Sequence, residues 1–219
     1  MMRETRVETK KMTVRSMAIA LGVAAAAAAF AASLALTARA QSEPGDGPRY
    51  VNGDELVRPD DYREWMFLSS GLGMTYEAER VGEAGSGARP MRFQNVFVNR
   101  SAYAGFAETG EWPDGSIFIL EIREAASESS INVAGSFQSR LLSLEAEVKD
   151  SRFEDGWAFY AFGRAGSMPD AAAPLTGDEV ARCVECHTDH TAVERTFVQF
   201  YPTLLDIARE KGTLNPGFE

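Results

Sequence analysis

The chain has 219 residues, 45% of them hydrophobic, and carries 32 Asp and Glu against 22 Lys and Arg, a formal charge of −10 at neutral pH. An acidic balance of this size argues against nucleic acid as a partner, because phosphate binding needs a basic surface. It suits solubility or docking to a basic redox partner.

Residues 1–16 are polar with five basic side chains, residues 17–36 are an alanine-dominated apolar run, and Ala38-Arg39-Ala40 follows. A charged start, an apolar stretch and an A-x-A site predict a secretory signal over 1–40, cleaved before Gln41. The run is also long enough to stay as a membrane anchor. Without these residues 16 basic and 30 acidic residues remain, a formal charge of −14. The exported part is expected in the periplasm, off the membrane once the signal is cut. Residues 41–55 are expected to be a flexible lead-in, and 56–219 a single domain with a full-sized core.

Residues 62–68 pack aromatic and apolar side chains as a helical turn passing into a strand, and the Gly-rich stretch 77–90 reads as a loop. Residues 92–98 form a strand in which Phe97 breaks the alternation of Phe93, Val96 and Val98. Asn99 is the expected N-cap of a short helix ending at Gly110. Trp112-Pro113-Asp114-Gly115 is a turn, and strands follow at 116–123, 137–149 and 157–162. In 137–149, Leu142, Leu144, Ala146 and Val148 share one face, and Ser143, Glu145, Glu147 and Lys149 the other. Short polar connections predict antiparallel pairing, hence an α+β fold of mainly antiparallel β-sheet with flanking helices.

From Thr176 the period changes. Thr176 and Glu179 are spaced as a capping box for a helix over 180–186, and a second helical stretch, 197–211, is interrupted by Pro202 and closes on Gly212. The first of these helices carries Cys183-Val184-Glu185-Cys186-His187, the chain's two cysteines and one of its two histidines. C-x-x-C-H is the pattern of covalent c-type haem attachment: Cys183 and Cys186 take the vinyl groups, and His187 is the axial iron ligand. One haem c per chain, bound through this C-terminal helix, is the expectation. A zinc site would need Cys183, Cys186, His187 and His190 together, with two ligands adjacent in sequence, and a redox dithiol would leave His187 without a role.

A sixth iron ligand is hard to find. His190, three residues past His187, shares its side of a continuing helix and reads as a surface residue or a neighbour of the site. Met66, Met74, Met91 and Met168 all precede the motif, and each reads as core or loop. Five-coordinate iron is the expectation, and a six-coordinate electron-transfer cytochrome the alternative.

The stretches DYREW at 61–65, NVFVN at 95–99, WPDG at 112–115, LEAEVKD at 144–150, GWAFY at 156–160 and TFVQFYP at 196–202 together resemble the cytochrome P-460 family, which includes the cytochromes c′-beta. The resemblance spans nearly the whole exported part, with the haem motif C-terminal. It implies a homodimer with five-coordinate haem c that binds nitric oxide or oxidises hydroxylamine. In the catalytic branch a lysine on the strand after the W/F-x-D-G turn is cross-linked to the porphyrin, and a glutamate in the L-E-A segment handles protons. The lysine position here falls on Leu120, which cannot form that link and so argues against a cross-linked chromophore and full hydroxylamine oxidase activity; weak hydroxylamine oxidation or peroxidase-like chemistry at the open iron face is the remaining enzymatic expectation. The glutamate is kept as Glu145, which by alternation alone reads equally as the polar face of its strand. Phe93, Phe118 and Leu120 are candidate pocket walls; Arg123 and Arg140 have the charge to pair with haem propionates, but surface arginines are common and neither is singled out.

Overall fold

The strand over 137–149 sets the architecture, because its 13 residues alternate and so give the two faces of any sheet built on it different chemistry. The computed structural model describes residues 45–76 and 91–218; the leader expected over 1–40 and the loop expected over 77–90 lie outside them. Strands β3 (Met66–Leu72), β4 (Arg92–Val98), β5 (Ser116–Ala126), β6 (Phe137–Lys149) and β7 (Trp157–Arg164) pair in chain order as a five-stranded antiparallel sheet. Beside it, β1 (Tyr50–Val51), β2 (Glu55–Val57) and β8 (Ala171–Ala172) form a small antiparallel sheet in the order β1-β2-β8. Helices α1 (Arg100–Thr109), α2 (Asp178–Asp189) and α3 (Pro202–Lys211) complete the α+β fold. Among the described residues no helix is long and apolar enough to cross a membrane.

Each face of the large sheet has its own core. On one, Phe97, Ile119, Leu144, Ala146, Val148 and Tyr160 pack with Leu56 and Tyr62 from the small sheet and the turn before β3. Phe97 therefore does not break a pattern: β4 is covered on both sides, so both of its faces accept apolar residues. On the other face, Val98 and Phe118 lie under α1, α3 and the segment between α2 and α3. Trp112 joins these layers. It is 2% exposed, its ring meets Phe106 of α1 at 4.2 Å and Phe118 of β5 at 4.6 Å, and its indole N–H donates to Thr196 Oγ1 at 2.8 Å.

Local chemistry departs from expectation at three helix and strand starts. Asn99 precedes α1 but makes no side-chain cap; its Oδ1 accepts the Ile117 N–H at 2.9 Å instead, tying α1 to β5. The cap comes from Asp46, whose carboxylate accepts the Ser101 N–H at 3.0 Å. The 41–55 segment, expected to be a flexible lead-in, thus carries fixed contacts from Asp46 and a strand from Tyr50. At α2 no capping box forms: Gly177 occupies the N-cap position at φ 56°, and Glu179 N–H donates to the Thr176 backbone carbonyl at 3.3 Å.

A candidate haem c site on the open half of one sheet face

Strand register sorts the sheet face under α1 and α3 into rows that run across the strands. One row reads Val98, Phe118, Glu147, Phe159; the next reads Val96, Leu120, Glu145, Ala161. All four residues of the first row are buried. In the second, Val96 and Leu120 are half-buried, and Glu145 and Ala161 are exposed. Two adjacent rows of one sheet, about 7 Å apart by strand geometry, thus change from core to open surface. Leu120 and Glu145 stand directly opposite each other at that boundary.

Helix α2 lies against this boundary. Its residues Val180, Cys183, Val184 and His187 follow the i, i+3, i+4, i+7 spacing of a single face, and all four are half-buried. Cys183 and Cys186 are free thiols about one turn apart, half-buried on the helix that carries His187. Burial raises the Cys183 thiol, and the negative charge of Glu145 and then of Glu147 raises it further, which places the motif beside both carboxylates. Solvent reaches Glu145, yet protein surrounds it on enough sides for burial to lift its carboxyl above the usual range.

His187 is held on several sides. Its Nδ1–H donates to the Arg195 backbone carbonyl at 2.7 Å, and its ring meets Phe159 at 4.9 Å and Phe197 at 4.6 Å, both edge-on. With Nδ1 so engaged, Nε2 is the nitrogen left for iron, the arrangement by which a second hydrogen bond fixes tautomer and ring direction at metal sites. Nδ1 also lies 3.1 Å from Glu147 Oε1. Burial disfavours the imidazolium, but the Glu147 carboxylate outweighs it and leaves His187 raised; burial likewise raises Glu147, with His187 opposing. Thr191 Oγ1–H, which can donate to the His187 carbonyl at 2.9 Å, ties the end of α2 to the following loop.

Two half-buried thiols and an imidazole with one free nitrogen, on a helix facing a half-open sheet row, are the donor set that covalent haem attachment requires. Among the described residues, no group of three or more His, Cys, Asp and Glu is gathered to hold a bare metal ion. His190 is exposed at the C-terminal end of α2, with its backbone carbonyl accepting from Gln199 Nε2 at 2.6 Å. Met66 and Met168 pack against the two cores, and Met74 folds over Gly71.

The structure brings Cys183, Cys186, His187 and Glu145 together and puts Phe118 and Leu120 on the same sheet face. Phe118 is a wall only from within the core, since it is 4% exposed beneath Trp112. Phe93 is removed from the pocket: it pairs with Arg123, one position out of step with Leu120, and so points to the opposite face. Arg123 sits there too, pairing with Glu121 at 2.9 Å, and Arg140 is engaged by Glu124. Arg123 therefore lies on the face away from α2. Sequence reasoning missed Glu147, Phe159 and Phe197. The resemblance singled out Glu145 and alternation placed Glu147 on the same face, so the histidine contact was the missing signal.

A family model described as Cytochrome P460 matches residues 59–198, well over half of the chain, from the turn before β3 through α2 and the loop behind His187. A search of curated proteins finds no match. The matched span contains both sheet rows and the whole C-x-x-C-H motif, and the family binds haem c. The chain belongs to the cytochrome P460 family and is a c-type haem protein.

Proposed function

We propose that this is an exported, homodimeric haem c protein whose iron keeps one face open and binds nitric oxide or a related small nitrogen species, with Glu145 moving protons at that face. The observation that carries the reading is the change from buried to open between the Glu147 and Glu145 rows, beside Cys183. When bound, the haem supplies an iron whose coordination and redox state respond to small ligands. The protein's part is positional. His187 Nε2 is aimed by the Arg195 carbonyl and by the Phe159 and Phe197 rings. Leu120 gives the open row an apolar wall, and Glu145, raised by burial, holds a proton at pH values where an ordinary carboxyl has lost it.

Nitric oxide binding is favoured over full hydroxylamine oxidation because Leu120, opposite Glu145, has no amine to join to a porphyrin. An electron carrier with a sixth ligand is disfavoured by exposed His190 and by Met66 and Met168, which are tied into the cores. Exposed Phe67, Ile131 and Val133 offer apolar surface to a second copy, and the acidic charge suits a basic redox partner. The test is turnover of hydroxylamine with an added electron acceptor, alongside nitric oxide binding to the reduced protein. Any turnover should fall by about 10²-fold or more in Glu145→Gln, the size expected for loss of a general acid or base, while nitric oxide still binds. Turnover that is unaffected by Glu145→Gln refutes the proton role, and a reduced protein that ignores nitric oxide refutes the ligand.

A further inference from the structure

Glu147 is buried at 8% exposure, between Phe118 and Phe159 in its row, and its Oε1 has no hydrogen-bond donor in good alignment. A carboxylate in such surroundings is strongly disfavoured unless it is compensated. Its nearest cationic or N–H partners are His187 Nδ1 at 3.1 Å, on α2, and the Arg195 guanidinium from the loop behind; Glu194 of that loop opposes it, and the Tyr201 phenol and Cys183 also face it. The Nδ1–H therefore donates to the Arg195 carbonyl at 2.7 Å, with the Glu147 carboxylate beside it at 3.1 Å from Nδ1 and out of line for that bond.

We propose that Glu147 is a positioning residue that acts through His187: its carboxylate at Nδ1 makes the imidazole a stronger donor to the haem iron than a backbone carbonyl alone would, and so favours the oxidised iron. A carboxylate charge beside a ligand's second nitrogen polarises its N–H and raises ligand basicity, and in a low-dielectric row between two phenylalanines little water screens it. The neighbouring rows give the two glutamates separate tasks. Glu147 serves the histidine side of the iron, and Glu145 the open side. This assignment rests on haem c attachment at His187, but not on the identity of the ligand at the open face.

The test uses the matured haem protein and two readings that a purely structural role would not move together: the haem reduction potential, and the iron–histidine stretching band of the reduced protein by resonance Raman. Glu147→Gln keeps the shape and removes the charge. The expected result is an upward shift equal to about a tenfold change in the ratio of reduced to oxidised haem at fixed potential, about 59 mV for one electron. The iron–histidine band should move to lower frequency. Glu147→Asp, which withdraws the charge by one methylene, should fall between the two proteins. A Glu147→Gln protein that folds and binds haem with potential and band unchanged overturns the proposal. If Glu147→Gln does not accumulate, Glu147→Asp decides on the same terms: smaller shifts in the same directions support the proposal, and their absence overturns it. A six-coordinate reduced iron would defeat the open-face reading and leave the potential shift to judge Glu147.

Discussion

Replacing Cys183 and Cys186 together by serine is expected to abolish covalent haem: after denaturation the pigment should leave the chain completely, whereas either single replacement should retain it through one thioether. Both thiols are free, half-buried and on the helix that positions His187, so each can be reached by a vinyl group, and no other cysteine exists in the chain to substitute. Haem staining of denatured protein on a gel, against total protein, reads the result. Pigment that stays with the denatured double variant would contradict the assignment of the motif.

The second large effect lies on the far face of the sheet. Glu121 has no exposed surface, and its carboxylate accepts from the Tyr62 hydroxyl, from Asn95 Nδ2 at 2.8 Å and from the Arg63 guanidinium, with Arg123 Nε at 2.9 Å. Burial alone would raise its pKa, but Arg123, Tyr62, Asn95 and Arg63 outweigh it and hold the carboxyl at about 2. A folded-state value below the unfolded one contributes stability above the unfolded pKa, here the ordinary glutamate value of 4.5, and that stability is lost as pH falls through the folded value. The full shift would be worth about 3 kcal/mol at neutral pH. Because the covering Arg63 side chain is 54% exposed, water screens part of this, and about 2 kcal/mol is the expectation. Glu121→Gln should therefore lower stability by about 2 kcal/mol at pH 7, and its deficit against the parent should shrink between about pH 4.5 and 2. Urea denaturation across that range measures it; a deficit that stays constant with pH would show that the charge is not what stabilises the cluster.

The fold was legible where period and turn chemistry act locally. Residues 92–98 and 137–149 became β4 and β6 with those boundaries, because each alternates between two faces and is flanked by residues that stop a strand. The strands that were missed, β1, β2 and β8, have two or three residues each, too few for any period to register, and β8 joins β2 only by pairing between positions more than a hundred residues apart. Asn99 and Thr176 carried good capping chemistry that the structure uses otherwise, since a tertiary partner, Ile117 N–H, or a glycine dihedral at Gly177 decided each case. Cys183, Cys186 and His187 were legible because covalent attachment fixes their spacing. Glu147 was not, because one face of β6 holds both glutamates and only packing against α2 separates the one at the histidine from the one at the open row.

Leu120 is the residue on which the functional reading turns. It faces Glu145 across β5 and β6, at the position the resemblance assigns to the cross-linking lysine, and its side chain is aliphatic. The proposed ligand binding therefore requires an ordinary haem c with a vacant coordination position. The absorption spectrum of the matured ferric protein, taken before and after adding nitric oxide, tests this most directly. A high-spin haem c spectrum that shifts on addition, with no sign of a cross-linked chromophore, is the predicted result; a low-spin spectrum indifferent to nitric oxide would contradict it.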